Sequence, residues 1–315
     1  MSLLIIGGTG TLGRQIVRQA LDEGYEVKCL VRNLRRTVFL RDWGAELIYG
    51  DLSLPATIPA ALKGVRVIID ASTVRPTDDY NAARIDWRGK IALLEAAKVA
   101  NVKSFLFFSF LGAKEHSTIP LLDLKLKFME RLKSSGIKST VFECAGFFQG
   151  LIDQYAIPTL EKQTIWLVNN IPPTPYIDSQ DAAKIVISSL KNNNSEKYSI
   201  YSLVGPKLWA PEQIIQLCER LSGEKAKISY LPLSILTLLR NILRSFEFTW
   251  NISDRLHFSE LLNNSTNSKV VITSSSENNL QTLERYLQEY FSKILKKLKE
   301  TNYQQSQKNN DISFL

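Results

Sequence analysis

Gly7, Gly10 and Gly13 stand at three-residue intervals in LLIIGGTGTLGRQIV, residues 3–17, between an apolar run and an amphipathic one. Glycine lets a backbone turn tightly and approach a ligand closely, and the N–H groups that open the following helix attract an anion. Thr9, Thr11 and Leu12 complete the loop. Placed after a strand and before a helix, such a loop is suited to the pyrophosphate of a dinucleotide. The end of the second apolar run selects which dinucleotide. An acidic residue there would bind a ribose 2′-hydroxyl, but CLVRNLRR places Arg32 at that point, with Arg35 and Arg36 close behind. Guanidinium groups suit a 2′-phosphate through charge-assisted hydrogen bonds, so NADP(H) is expected over NAD(H). In YGDL, Asp51 follows the third run, near where adenine would lie; a turn-forming aspartate reads equally well.

A second set of chemical groups lies in FSFLGAKEHSTIPLLDLKLK, residues 108–127. Ser109 and Lys125 supply a hydroxyl and an ammonium, groups that can take part in proton transfer. No tyrosine lies in the stretch. Lys125 sits in an amphipathic run with Leu122, Leu126, Met129 and Leu132, and so also reads as plain surface. Asp123 belongs to a different helix face from Lys125. His116, on the adjacent loop, is a second candidate acid, against the commoner reading of a solvent-exposed loop histidine.

The elements that must position these groups alternate. Strands are expected at Leu3–Ile6, Glu26–Val31, Glu46–Tyr49, Val65–Asp70, Ser104–Phe108 and Ser139–Phe142. Helical patterns lie between most of them, at Leu12–Glu23, Pro59–Leu62, Asp79–Ala100 and Leu122–Ser135. That alternation predicts an α/β fold, a Rossmann-type doubly wound parallel sheet, over residues 1–150. Prolines at 158, 172, 173, 175 and 211 then interrupt the pattern. Residues 151–300 read as a smaller C-terminal cap packed on the sheet, with strands that return to it and helices at Gln180–Leu190, Pro211–Leu221, Leu233–Phe246 and Glu277–Lys299. Residues 301–315 read as a flexible polar tail.

Composition narrows the classes. The 315 residues are 44% hydrophobic and 22% charged, which suits a packed globular chain. Three scattered cysteines and two histidines argue against a disulfide framework or a metal site, and a reducing compartment fits. The first strand starts at Leu3 and leaves no room for a signal or transit peptide. The net charge of +8 favours anionic partners. Leu233–Phe246 separates into apolar and polar arcs, and EYFSKILKKLKE at 289–300 is a second basic amphipathic candidate. Each reads either as a core-facing helix or as one resting on a membrane surface or membrane-protein partner. No helix-turn-helix, zinc-finger or aromatic–basic strand signature is present, so no nucleic-acid partner is expected.

GGTGTLG, the arginine after the second strand, GDL, SFLFFSFLGA (104–113), AGFFQG (145–150) and YIDSQDAAKIVISSL (176–190) together resemble the NmrA-like branch of the atypical short-chain dehydrogenases. The likeness spans nearly the whole chain, and within that branch it is to the photosystem II assembly factors of cyanobacteria and algal plastids. It implies that Gly7, Gly10 and Gly13 form the phosphate loop, Arg32 meets the 2′-phosphate, Ser109 closes the fifth strand, and Lys125 contacts the nicotinamide ribose or assists proton transfer. Leu121 stands where the Y-x-x-x-K motif of active relatives has its tyrosine. The resemblance therefore implies an NADP-binding, non-catalytic assembly factor on the stromal side of the plastid thylakoid. Its implied partners are early reaction-centre subunits and high-light-inducible-type proteins, with peripheral membrane contact and a role in placing chlorophyll. The alternative is an NADPH-dependent reductase of a small molecule that uses Lys125, with Ser109 or a water replacing the tyrosine.

Overall fold

The computed structural model describes residues 1–75, 78, 81–168, 171–191, 196–232, 234–235 and 280–312. Six strands of the first half are β1 (Ser2–Ile6), β2 (Glu26–Val31), β3 (Glu46–Tyr49), β4 (Val67–Asp70), β5 (Ser104–Phe110) and β6 (Lys138–Cys144). They pair in parallel with a later strand, β8 (Tyr198–Leu203), in the order β3-β2-β1-β4-β5-β6-β8. The order reverses between β1 and β4, which opens a crevice at the carboxyl ends of those two strands. This is the doubly wound parallel sheet expected from the strand–helix alternation.

Helices cover both faces, so the central strands β1, β4 and β5 are buried on both sides and read as near-continuous apolar runs. On one face α1 (Thr11–Asp22) and a helix of the second half, Ser179–Ser189, pack Ile16, Val17, Ala183 and Ile187 against Leu3, Ile5 and Phe142. On the other, α2 (Lys90–Val99) and α3 (Pro120–Lys133) pack Leu93, Ala97, Phe128 and Leu132 against β5. There Phe128 meets Phe105 and Phe107 edge-on, with ring centroids 6.0 and 4.9 Å apart. Such pairs contribute about 0.5–1.5 kcal/mol each beyond area burial. Gly24 and Gly136 end α1 and α3 in left-handed conformation, φ +78° and +80°, the stop that a residue with Cβ resists.

The helix Ser179–Ser189 on the sheet is α4, and α5 (Pro211–Ser222) and α6 (Leu283–Ile312) follow it and share a separate core. Strands β7 (Thr164–Val168) and β9 (Lys227–Leu231) form a separate parallel pair that the sequence pattern did not disclose. Phe148, Leu151, Ile165, Leu217, Leu287 and Phe291 meet in this separate core. Helix α6 starts later than the expected Glu277, and its backbone stays helical to Ile312, beyond the expected Lys299 and into the stretch that reads as a tail. The expected helix Leu233–Phe246 lies outside the described residues, Ser234 and Ile235 apart. Among the described residues no helix is long and apolar enough to cross a membrane.

Candidate functional site: a dinucleotide crevice above a buried ionic cluster

The glycine loop is shaped by contacts that leave no space for a side chain. Gly7 adopts φ +81°, and a Cβ there would lie 2.7 Å from the carbonyl carbon and oxygen of Ala71. A Cβ on Gly13 would lie 2.1 Å from the Gly7 oxygen. The Gly10 N–H donates to that same oxygen at 2.9 Å, closing the turn. Gly10 is also the N-cap of α1, with no side chain capping it and no acidic residue in the first turn. Among the described residues the first N–H groups of α1 thus have no capping side chain, the arrangement that receives a phosphate. Thr9, Thr11 and Leu12 lie in this loop and first turn.

Arg32 stands at the end of β2, its guanidinium half-exposed and donating to Asp78 Oδ1 at 3.0 Å. Asp78 Oδ2 also accepts from the Arg75 N–H at 2.7 Å, so the aspartate orients the arginine from across the crevice. Arg35 and Arg36 lie exposed on the short turn that follows. Asp51 Oδ1 accepts from the Ser53 N–H at 2.7 Å, and the Asp51 N–H donates to Thr57 Oγ1 at 2.9 Å. The carboxylate is thus engaged in a local turn at the end of β3.

Beneath the crevice lies a cluster that the sequence reading did not find. Between the end of β4 and α2 the chain makes a π-helical turn, Ala83–Gly89, which brings Asp86 and Lys90 inward together. Lys90 Nζ donates to Asp70 Oδ2 at 2.7 Å and to the Ser72 carbonyl at 2.7 Å, and lies 3.6 Å from Asp86 Oδ1. Lys125, from α3, donates to the Phe108 carbonyl at 3.1 Å and lies 3.8 Å from the same Asp86 oxygen. Both ammonium groups sit about equally far from the Phe107 ring, 5.1 and 5.0 Å from its centroid. Two carboxylates and two ammonium groups, all nearly or fully buried, thus balance one another.

Lys125 is consequently an interior residue and not part of the helix surface. Burial and the neighbouring Lys90 charge lower its pKa to about 8, while Asp86 and Asp70 oppose the shift. Ser109 is adjacent in sequence to the carbonyl that Lys125 contacts, but its Oγ is buried with no hydrogen-bond partner among the described residues. Leu121, one turn before Lys125, is 9% exposed and packs in the core on that side of the sheet. Asp123 pairs with Lys127 at 2.7 Å on the outer face of α3. His116 is not the solvent-exposed loop residue of the commoner reading: it is 8% exposed, and its carbonyl accepts from the Ile119 N–H in a local turn.

Parallel sheet, switch-point crevice, tight glycine loop and uncapped α1 define a dinucleotide-binding protein of Rossmann type. The chain matches the NmrA-like family over residues 1–291, and it belongs to that family. It is 55% identical over 306 residues to the photosystem II assembly factor Ycf39 of Guillardia theta, covering 95% of this chain and 97% of that protein. It is 41% identical over 320 residues to the chloroplastic protein High Chlorophyll Fluorescence Phenotype 244 of Arabidopsis thaliana, covering 99% and 80%. In fold it is similar to the Citrobacter sp. triphenylmethane reductase crystallised with NADP(H), with a TM-score of 0.73, 18% identity, and coverage of 92% and 99%.

Proposed function

We propose that this protein is an NADP(H)-binding, non-catalytic assembly factor for photosystem II. The observation that carries the reading is near-full-length identity of 55% to an assembly factor of that name, joined to a nucleotide crevice whose proton-donor position is a buried leucine. The residues present fit the cofactor: Gly7, Gly10 and Gly13 would admit the pyrophosphate, the first turn of α1 would meet its charge, and Arg32 would take the 2′-phosphate. NADP(H), when bound, supplies a hydride acceptor or donor. Lys125 would orient the nicotinamide ribose, and Leu121 offers no proton to any carbonyl beside it. The partners under this reading are early reaction-centre subunits and high-light-inducible-type proteins. The workplace is the stromal side of the plastid thylakoid, reached by peripheral contact, and the exposed Lys293 and Lys296 of α6 suit an anionic surface.

A mild-detergent purification of the tagged protein from its native membranes tests the assembly role. Reaction-centre subunits should co-purify, and a soluble protein carrying only nucleotide would overturn the reading. The second reading, a reductase acting through Lys125, is favoured by one observation: an enclosed lysine whose pKa falls to about 8 is able to exchange a proton near neutrality. Lys125→Ala separates the two. In protein that a thermal melt shows to be still folded, since removing one partner of a buried ion pair destabilises, it should leave reaction-centre association intact in the assembly factor, whereas in a reductase it should abolish NADPH turnover.

The choice of dinucleotide has its own test. Arg32→Asp should weaken NADPH binding about tenfold or more, the loss of a charge-assisted contact, and leave NADH binding nearly unchanged. Equal losses for both nucleotides would remove Arg32 from the 2′-phosphate site.

A further inference from the structure

Lys90 is completely buried, yet neither functional reading gives it a task. Its contacts point in one direction. The ammonium holds Asp70 and the Ser72 carbonyl at 2.7 Å each, with Ser72 Oγ at 3.3 Å. Four residues before it, Asp86 Oδ2 accepts from the Val74 N–H at 2.9 Å and lies 3.4 Å from the Thr73 hydroxyl. Asp86 of the π-helical turn and Lys90, which opens α2, thus grip the chain from Asp70 to Val74 along its length. That stretch leaves the carboxyl end of β4 and is the wall of the crevice on which the glycine loop closes. Gly7 approaches Ala71 and the Ser72 nitrogen so nearly that a Cβ would stand 2.7–2.8 Å from them.

The wall lies on one side of the switch point. Strands β2 and β3, with Arg32, flank β1 on one side, and β4 and β5 flank it on the other. In a doubly wound sheet the adenosine half of a dinucleotide lies over the former strands and the nicotinamide half over the latter. We propose that Lys90 is a positioning residue for the nicotinamide half of the site, fixing the Asp70–Ser72 wall against which the Gly7 loop closes. The same cation reaches Lys125 through their shared neighbour Asp86, so one network sets both the wall and the lysine beside it. The inference rests on the NADP-binding reading of the crevice.

Lys90→Met removes the charge and preserves the side-chain length. NADPH binding is followed by quenching of protein fluorescence, and binding of 2′,5′-ADP, which carries only the adenosine half, by calorimetry. NADPH affinity should fall about tenfold or more, as expected when charged hydrogen bonds that shape a site are lost, while 2′,5′-ADP affinity stays within about twofold. Where Lys90→Met does not fold, Asp70→Asn/Lys90→Met keeps Asp86 opposite Lys125 with no net buried charge and should give the same divergence. A variant that binds both ligands as the wild type does, or loses both equally, shows that Lys90 only packs, and overturns the proposal. A wild-type protein that binds neither ligand overturns the NADP reading itself, and the proposal with it.

Discussion

Gly13→Ala is expected to abolish useful NADPH binding while leaving most of the fold in place. The added methyl would stand 2.1 Å from the Gly7 oxygen and 2.7 Å from the Gly7 carbonyl carbon, both backbone atoms that no rotamer change can move. Relief requires α1 to slide away from β1, and with it the N–H groups that face the pyrophosphate. Two such donors, at about 1.5–3 kcal/mol each for bonds to a charged group, make the loss in affinity roughly 100-fold or more. The strain itself should cost about 1–3 kcal/mol of stability, the usual range for overpacking. Gly150→Ala is the matched control: nothing lies within 4 Å of its Cβ position, so both quantities should stay near wild type. An NADPH titration and a thermal melt of each variant decide the matter. Affinity within about threefold of wild type for Gly13→Ala would mean that the loop does not meet the pyrophosphate.

The loop is legible in the sequence because the first half follows simple rules. A strand covered on both faces has no polar side, so LLII, CLV and FLFF stand out as apolar runs, and glycine is required where β1 approaches β4. The cap is less legible. Strands β7 and β9 are short, and Trp166, Ile228 and Tyr230 remain exposed on them, which blurs the alternation that marks a half-buried strand. The ionic cluster had a signal that went unread. In the expected helix Asp79–Ala100, Asp86 and Lys90 fall at i and i+4 in line with Leu93 and Ala97, on the stripe that faces the core. Charges on an apolar stripe mark a buried pair. Their destination was not legible, because Asp70 and Lys125 approach from other elements and only the sheet order brings them together. The π-helical turn that aims Asp86 and Lys90 at one point has no simple sequence signature.

The buried cluster leads to the second large effect, a loss of about 3–5 kcal/mol on Asp86→Ala, the range for removing one partner from an enclosed ion pair. Asp86 serves four groups: both ammonium groups through Oδ1, and the Val74 N–H and the Thr73 hydroxyl through Oδ2. Without it Lys90 and Lys125 share only Asp70, and a buried N–H loses its acceptor. The pH dependence gives the loss a signature. Lys125 has a folded pKa of about 8, below its ordinary value of 10.5, so between these values the unfolded chain binds more protons than the folded one. Stability from this group therefore rises with pH across that window. Asp86 is one of the charges holding the folded pKa up, so its removal lowers that pKa further and the rise begins at lower pH. The variant's deficit in urea unfolding should thus be smaller at pH 9 than at pH 7. Asp86→Ala/Lys125→Met, which restores charge balance, should recover part of the loss and show strong coupling in a double-mutant cycle. A deficit that is the same at both pH values, with additive single effects, would mean that Asp86 acts on the Val74 backbone alone and that the two lysines owe it nothing.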